Sequence, residues 1–330
     1  MQSGTTGDGL PLIDVSPLLT GDLDGATEVG RAIDAACRDT GFFLVTGHGI
    51  DTSLRDDLEQ LSREFFALPD DTKADIAMSK GGIAWRGWFP VGGELTSGKP
   101  DRKEGIYFGS ELARTDPRVQ AATPLHGPNL FPKEPADLAP VVLTWIDEVA
   151  ALGQAVLSGI ALGLGLDRTW FAQHLTEDPT VLFRVFHYPP GDTESWGVGE
   201  HTDYGLITLL AQDHHGGLQV RSGDVWIDVP ADPYVFVVNI GDMLERMTRG
   251  GYRSNPHRVR NLSCADRLSF PLFLDPSWDA TVTPLPDRAL RDDPTSRWDG
   301  QSVHAWKGVY GDYLTAKVAK VFPELAAALP

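Results

Sequence analysis

From Val181 onward the chain reads as a succession of short strands broken by turn residues, and this stretch limits the fold more than any other. Val181–Tyr188, Leu206–Gln212, Leu218–Arg221, Val225–Val229, Val235–Ile240, His257–Asn261, Leu268–Leu274 and Ala280–Pro284 are rich in β-branched and aromatic residues. Glycine, asparagine and aspartate punctuate them. About eight short strands with such turns predict a sandwich or a barrel.

The first 180 residues carry helical spacing instead. Ala26–Arg38 sets Val29, Ile33, Ala36 and Cys37 on one side. Asp51–Ala67 does the same with Leu54, Leu58, Leu61, Phe65 and Phe66, behind Asp51 or Thr52 as N-cap. Pro69 restarts a short helix that runs to Ala77. Asp137–Leu166 is the longest helical signal and is expected to lie along the core as a scaffold. Its apolar part, Val149–Leu166, carries Gln154 and several glycines, so it reads as a buried helix and not as a membrane span. Further helices are expected at Asp167–Leu175 and at His304–Ala328. Gly41–Val45 and Lys103–Gly109 read as strands. Between them Ser79–Asp101 is a long irregular segment, rich in glycine and aromatics, and such segments are usually functional. The expected organisation is one domain over residues 1–330. It comprises a mostly helical region 1–180, a β core 181–284 and a C-terminal helical segment 285–330.

The formal net charge of −18 argues against nucleic acid or an anionic membrane as partner, since both repel such a surface. Two cysteines, Cys37 and Cys264, offer no disulfide framework. The N-terminus lacks the basic start and apolar run of a signal peptide, so a cytoplasmic location is expected.

The chemistry-bearing residues fall inside the strand-rich part. His201-Thr202-Asp203 places two metal-binding side chains at i and i+2, which share one face of a strand. His257, in Asn255-Pro256-His257-Arg258-Val259, supplies a third ligand from a distant strand. Two imidazoles and one carboxylate form a facial triad with open positions, the arrangement that suits a reactive Fe(II) centre. A structural zinc site usually has four protein ligands. Ten residues after His257, Arg267-Leu268-Ser269 puts a guanidinium fork and a hydroxyl on one face, suited to a carboxylate.

His-x-Asp, a long gap, His, and then Arg-x-Ser resembles the 2-oxoglutarate/Fe(II) dioxygenases related to isopenicillin N synthase. The resemblance runs from Leu12-Ile13-Asp14 and Gly41-Phe42-Phe43 through Tyr188-Pro189-Pro190 and Asn239-Ile240-Gly241-Asp242 to the C-terminal helix. It implies a mainly β fold with flanking α, a double-stranded β-helix or jelly roll. It implies Fe(II) on His201, Asp203 and His257, with 2-oxoglutarate and O2 as co-substrates. The distal carboxylate of 2-oxoglutarate would meet Arg267 and Ser269. Decarboxylation to succinate and CO2 would be coupled to oxidation, foremost hydroxylation, of a small molecule. Tyr188 matches the family tyrosine that hydrogen-bonds the co-substrate. Two residues earlier the family often has asparagine, and this chain has Phe186. Asn239 is a candidate for hydrogen bonding either the co-substrate or a metal ligand, with a structural role equally open. Two rivals stand beside this reading. One is a 2-oxoglutarate-independent oxidase of the isopenicillin N synthase type, performing cyclisation or desaturation. The other is a non-catalytic jelly-roll binding protein.

Substrate contacts are expected from the irregular segment and the inner strand faces. Trp85 and Phe89 are candidate walls, and Arg86 is a candidate reader of a substrate anion such as a carboxylate. Phe186 and Phe273 are further candidate walls. For all the aromatics, packing onto the core is the competing role.

Overall fold

The computed structural model describes residues 4–5, 9–190, 196–286 and 307–322. The strands used below are β1 (Pro11–Asp14), β2 (Phe42–Thr46), β3 (Gly87–Phe89), β4 (Glu104–Gly109), β5 (Pro179–Tyr188) and β6 (Val198–His201). They continue with β7 (Ile207–Gln212), β8 (Leu218–Ser222), β9 (Val225–Asp228), β10 (Phe236–Ile240), β11 (His257–Val259) and β12 (Arg267–Ser277). One sheet runs β1-β2-β10-β7-β12-β5-β4-β3, with Gly4–Thr5 added outside β1. A second runs β9-β8-β11-β6. All these neighbours are antiparallel except β1 with β2. Residues of both sheets line one cavity of about 670 Å³, so the two sheets close on it as a double-stranded β-helix.

Alternation along β12 shows how the sheet divides its duties. Leu268, Phe270, Leu272 and Leu274 are fully buried on the outer face. Arg267, Ser269, Pro271, Phe273 and Asp275 line the cavity. Period-two patterning of this kind gives one strand an apolar back and a functional front.

Helix α3 (Leu138–Gly163) covers the apolar back, burying Leu138, Val142, Trp145, Val149, Leu152 and Val156. Its glycines sit at close approaches. A Cβ on Gly153 would come within 2.8 Å of Leu274 Cδ2, and one on Gly163 within 2.4 Å of the Gly30 carbonyl oxygen. Helix α1 (Leu23–Asp39) crosses α3 at that second contact. The glycines therefore set how closely helix meets helix and helix meets sheet. Helix α2 (Thr52–Phe66) begins at Asp51, whose side chain accepts the Ser53 N–H at 2.9 Å. Helix α4 (Tyr310–Val321) places Leu314 and Val318 against the cavity.

The structure departs from the sequence expectations at several places. Ala280–Pro284 is no strand: it makes one isolated bridge, Thr281 to Val309. Proline has no N–H to continue a ladder, and its partner segment turns into α4 one residue later. The strand expected under His201-Thr202-Asp203 stops at His201, as β6, and leaves Asp203 in the turn beyond it. The segment 79–101 is not irregular throughout. It holds a 3-10 turn, β3, and a small hairpin of Leu95–Thr96 with Lys99–Pro100. The helix after α3 is confined to Trp170–His174. Residues 304–306 and 323–328 of the expected C-terminal helix lie outside the described residues.

Candidate metal centre and co-substrate pocket

His201 ends β6 and His257 begins β11, and the two residues face each other across the ladder. Their ring centroids are 4.2 Å apart. Asp203 lies two residues past the strand end, in the turn that leads to β7. Its Oδ1 is 3.8 Å from His201 Nε2 and 3.7 Å from His257 Nε2. These separations are too long for hydrogen bonds and short enough for all three atoms to reach one ion. All three ligand atoms lie within 4.8 Å of one another. His201 Nδ1 is 2.8 Å from the Gly199 carbonyl oxygen, which fixes the proton there and turns the Nε2 lone pair inward.

The other oxygen of Asp203 is held from outside the triad. Oδ2 accepts the Thr208 hydroxyl at 2.5 Å and the Asn239 amide at 2.8 Å. Thr208 and Asn239 are directly paired on β7 and β10. Burial alone would raise the Asp203 pKa, but the two imidazoles and these hydrogen bonds hold it below the ordinary carboxylate value. Burial, and then repulsion by His201, lower the pKa of His257. Both effects favour the protonation states that bind a metal, carboxylate and neutral imidazole. The donor set thus fits one divalent ion held on one side, with positions left open toward the cavity.

Arg267 and Ser269 lie on the cavity side of β12, and their registered partners on β5 are Tyr188 and Phe186. Arg267 is completely buried. Its Nε donates to the carbonyls of His215 and Gly216, and Nη2 donates to Gln212 Oε1 at 3.2 Å. Nη1 is buried without a hydrogen-bond partner among the described residues. The guanidinium lies 4.8 Å over the Tyr188 ring, and the Tyr188 hydroxyl is 3.3 Å from Ser269 Oγ. A fixed cation with an unused NH2 group, beside two hydroxyls, is a cradle for a carboxylate. Phe186 lines the cavity, and Lys103 Nζ sits 4.8 Å from its ring centroid.

The expected substrate residues divide. Phe186 and Phe273 line the cavity. Phe89 stands behind it, its ring 5.5 Å from Tyr107 and 6.4 Å from Phe186. Trp85 and Arg86 do not reach it, which corrects their expected roles. Trp85 is buried at φ 50°, in the left-handed region, so the backbone reverses there. Arg86 is buried against Gly109, where an added Cβ would lie 2.2 Å from its Nη1, and donates to the Leu125 carbonyl at 2.9 Å. Burial, with Arg184 nearby, lowers its pKa to about 9. Sequence reasoning missed Thr208, Tyr107 and Arg184 as cavity residues. Arg184 was within reach of it, since alternation back from Tyr188 through Phe186 puts Arg184 on the same face.

Comparison with known proteins agrees with this geometry. Residues 10–134 match the family described as the N-terminal region of non-haem dioxygenases in morphine synthesis. Residues 179–276 match the 2OG-Fe(II) oxygenase superfamily. A Dictyostelium discoideum protein described as a probable iron/ascorbate oxidoreductase is 46% identical, with 90% of each chain covered. A homoarginine-6-hydroxylase of Arabidopsis thaliana is 36% identical, covering 95% of this chain and 97% of its own. The crystal structure of a full-length Neurospora crassa protein in complex with α-ketoglutarate superposes with a TM-score of 0.77 at 27% identity, covering 97% of this chain and all of the other. The chain belongs to the 2-oxoglutarate- and Fe(II)-dependent dioxygenases.

Proposed function

We propose that this dioxygenase hydroxylates a small molecule, with His201, Asp203 and His257 holding Fe(II) and with Arg267, Ser269 and Tyr188 holding the distal carboxylate of 2-oxoglutarate. The observation that carries the residue assignment is Arg267 Nη1, a buried donor with no hydrogen-bond partner among the described residues, in the same cavity as the triad. An unpaired buried donor is costly, and a bound carboxylate would satisfy it. Bound iron and 2-oxoglutarate together supply the chemistry: oxidative decarboxylation by O2 gives succinate and CO2 and provides the oxidising equivalent for the substrate.

The chain's own residues do the rest. Asp203 and the two histidines would hold the ion. Thr208 and Asn239 fix the carboxylate orientation. The carbonyls of His215 and Gly216, with Gln212, aim Arg267. Phe186, Phe273, Leu314 and Val318 give the cavity apolar walls.

The test is anaerobic titration of the Fe(II) protein with 2-oxoglutarate, following the visible charge-transfer band of a chelated 2-oxo acid. The band is expected in wild type, and Arg267→Ala is expected to weaken 2-oxoglutarate binding at least about thirtyfold, the cost of losing one partner of a buried charge pair. Absence of the band with iron bound would favour a 2-oxoglutarate-independent oxidase.

A further inference from the structure

Arg184 is a second buried guanidinium in the cavity, and the co-substrate assignment does not use it. It sits on β5 four residues before Tyr188, so strand geometry sets the two about 13 Å apart along the wall. With Tyr188, Ser269 and Arg267 at one end, Arg184 marks the other. It is 5% exposed, and its Nη1 donates to the carbonyls of Phe108 and Phe183 at 3.1 Å each. Its guanidinium carbon lies 3.5 Å from the centre of the Tyr107 ring and 5.8 Å from that of Phe273. Phe273 is paired with Thr208, the residue that holds Asp203, so Arg184 borders the metal side of the cavity.

The charge of Arg184 has no ion-pair partner among the described residues. Glu94 and Asp275 are close enough for their charge to act on Arg184, but neither forms an ion pair with it. Glu94 pairs with Lys103 Nζ at 2.8 Å and accepts the Tyr107 hydroxyl. Asp275 accepts the Tyr310 hydroxyl at 2.5 Å on Oδ2, and its Oδ1 is buried without a hydrogen-bond partner among the described residues. A buried cation that no carboxylate pairs with directly can take one from a ligand, which would complete its pairing. The surroundings describe the rest of that ligand: Phe186, Phe273, Leu314, Val318 and Phe322 offer rings and branched alkyl groups.

We propose that Arg184 binds a carboxylate on the primary substrate, so that the enzyme oxidises small organic acids with an apolar or aromatic body. This rests on the dioxygenase function and assigns the anion-reading role to Arg184 in place of Arg86. A single planar fork stacked on a tyrosine suits a planar carboxylate.

The experiment measures 2-oxoglutarate consumption by the iron-loaded enzyme over a panel of aromatic and branched alkyl monocarboxylic acids, each paired with its primary amide. At least one acid is expected to stimulate consumption above the substrate-free rate while its amide does not. Arg184→Met is expected to raise KM for that acid at least about thirtyfold while the Kd for 2-oxoglutarate changes less than about threefold. Arg184→Lys, which keeps the charge and loses the fork, is expected to fall between. Amides that serve as well as acids, a panel in which no acid stimulates, or an unchanged KM in Arg184→Met would each overturn the proposal. The acid–amide comparison is made on wild type, so it holds even if a variant fails to fold. The charge-transfer titration separates the two levels: a wild type that never binds 2-oxoglutarate removes the co-substrate assignment, whereas normal binding without preference for acids removes this inference alone.

Discussion

Asn239 donates its side-chain amide to Oδ2 of Asp203 at 2.8 Å, from the strand next to the one that carries Thr208. The two donors occupy Oδ2 and leave Oδ1 turned toward both imidazoles. Asp203 is therefore presented as a one-oxygen ligand before any metal arrives. Partners of this kind, which orient a ligand without touching the ion, are typically worth about 10–100-fold in metal affinity. Asn239→Leu is expected to weaken Co(II) binding within that range, measured anaerobically by competition with a chromophoric chelator. Unchanged affinity would show that Thr208 alone holds the carboxylate.

The turn between Asp203 and β7 has no spare volume at Gly205. A Cβ there would fall 1.4 Å from Oδ1 of Asp275, and a Cβ on Gly241 would fall 2.3 Å from the Gly205 carbonyl oxygen. The glycines let three segments meet beside the metal ligand. Gly205→Ala is expected to cost about 3 kcal/mol of stability and to lower metal affinity, since the turn that aims Asp203 must shift. Adding Asp275→Ala removes the nearest clashing atoms and is expected to restore part of the loss in a denaturant melt. If nothing is restored, the obstacle is not the Asp275 side chain.

The metal triad was legible from His-x-Asp and the later His257, although the strand ends at His201 and Asp203 sits in the turn beyond it; the Arg267/Ser269 pair was legible as an i, i+2 pattern on a strand, where alternation fixes the direction. Most helices were legible for the same reason, with a period that survives from Val29 to Cys37 or from Leu138 to Val156. Arg86 was misread because no period governs its surroundings. The left-handed turn at Trp85 redirects the chain just before it, and Arg86 ends in the core against Gly109. Asp275 shares the cavity face with Arg267 by alternation but falls one residue past the expected strand Leu268–Leu274, and Thr208 gave no signal, since its role comes from which strands are neighbours in the sheet.

That reversal has its own test. Arg86 leaves Nε and Nη1 without hydrogen-bond partners among the described residues. Arg86→Met fills the same space without a buried charge, so it is expected to change stability by no more than about 2 kcal/mol in either direction. KM for any substrate found by 2-oxoglutarate consumption is expected to stay unchanged. A sharp rise in KM with normal 2-oxoglutarate binding would return Arg86 to the substrate site.

Glu104 ties the sheet to the helical region near the co-substrate end. Its Oε2 accepts Lys73 Nζ at 2.7 Å and Trp88 Nε1 at 2.8 Å, and its Oε1 is 2.8 Å from His187 Nδ1. Burial alone would raise the Glu104 pKa, but the hydrogen bonds from His187, Lys73 and Trp88 outweigh it and hold the pKa below the ordinary 4.5. A depressed pKa in the folded state means that this stability is complete above the unfolded value and is lost as pH falls through the folded one. Glu104→Gln leaves Lys73 with only the exposed Asp70 carboxylate, 2.9 Å away, as counter-ion, a change expected to cost about 2 kcal/mol at pH 7. Urea unfolding of both proteins from neutral pH down through the acid range checks the sign. The stability gap is expected to hold steady down to about pH 4.5 and to narrow below it, because protonation of Glu104 makes the wild type resemble the variant. A gap that stays constant into the acid range would show that Glu104 contributes no pH-linked stability.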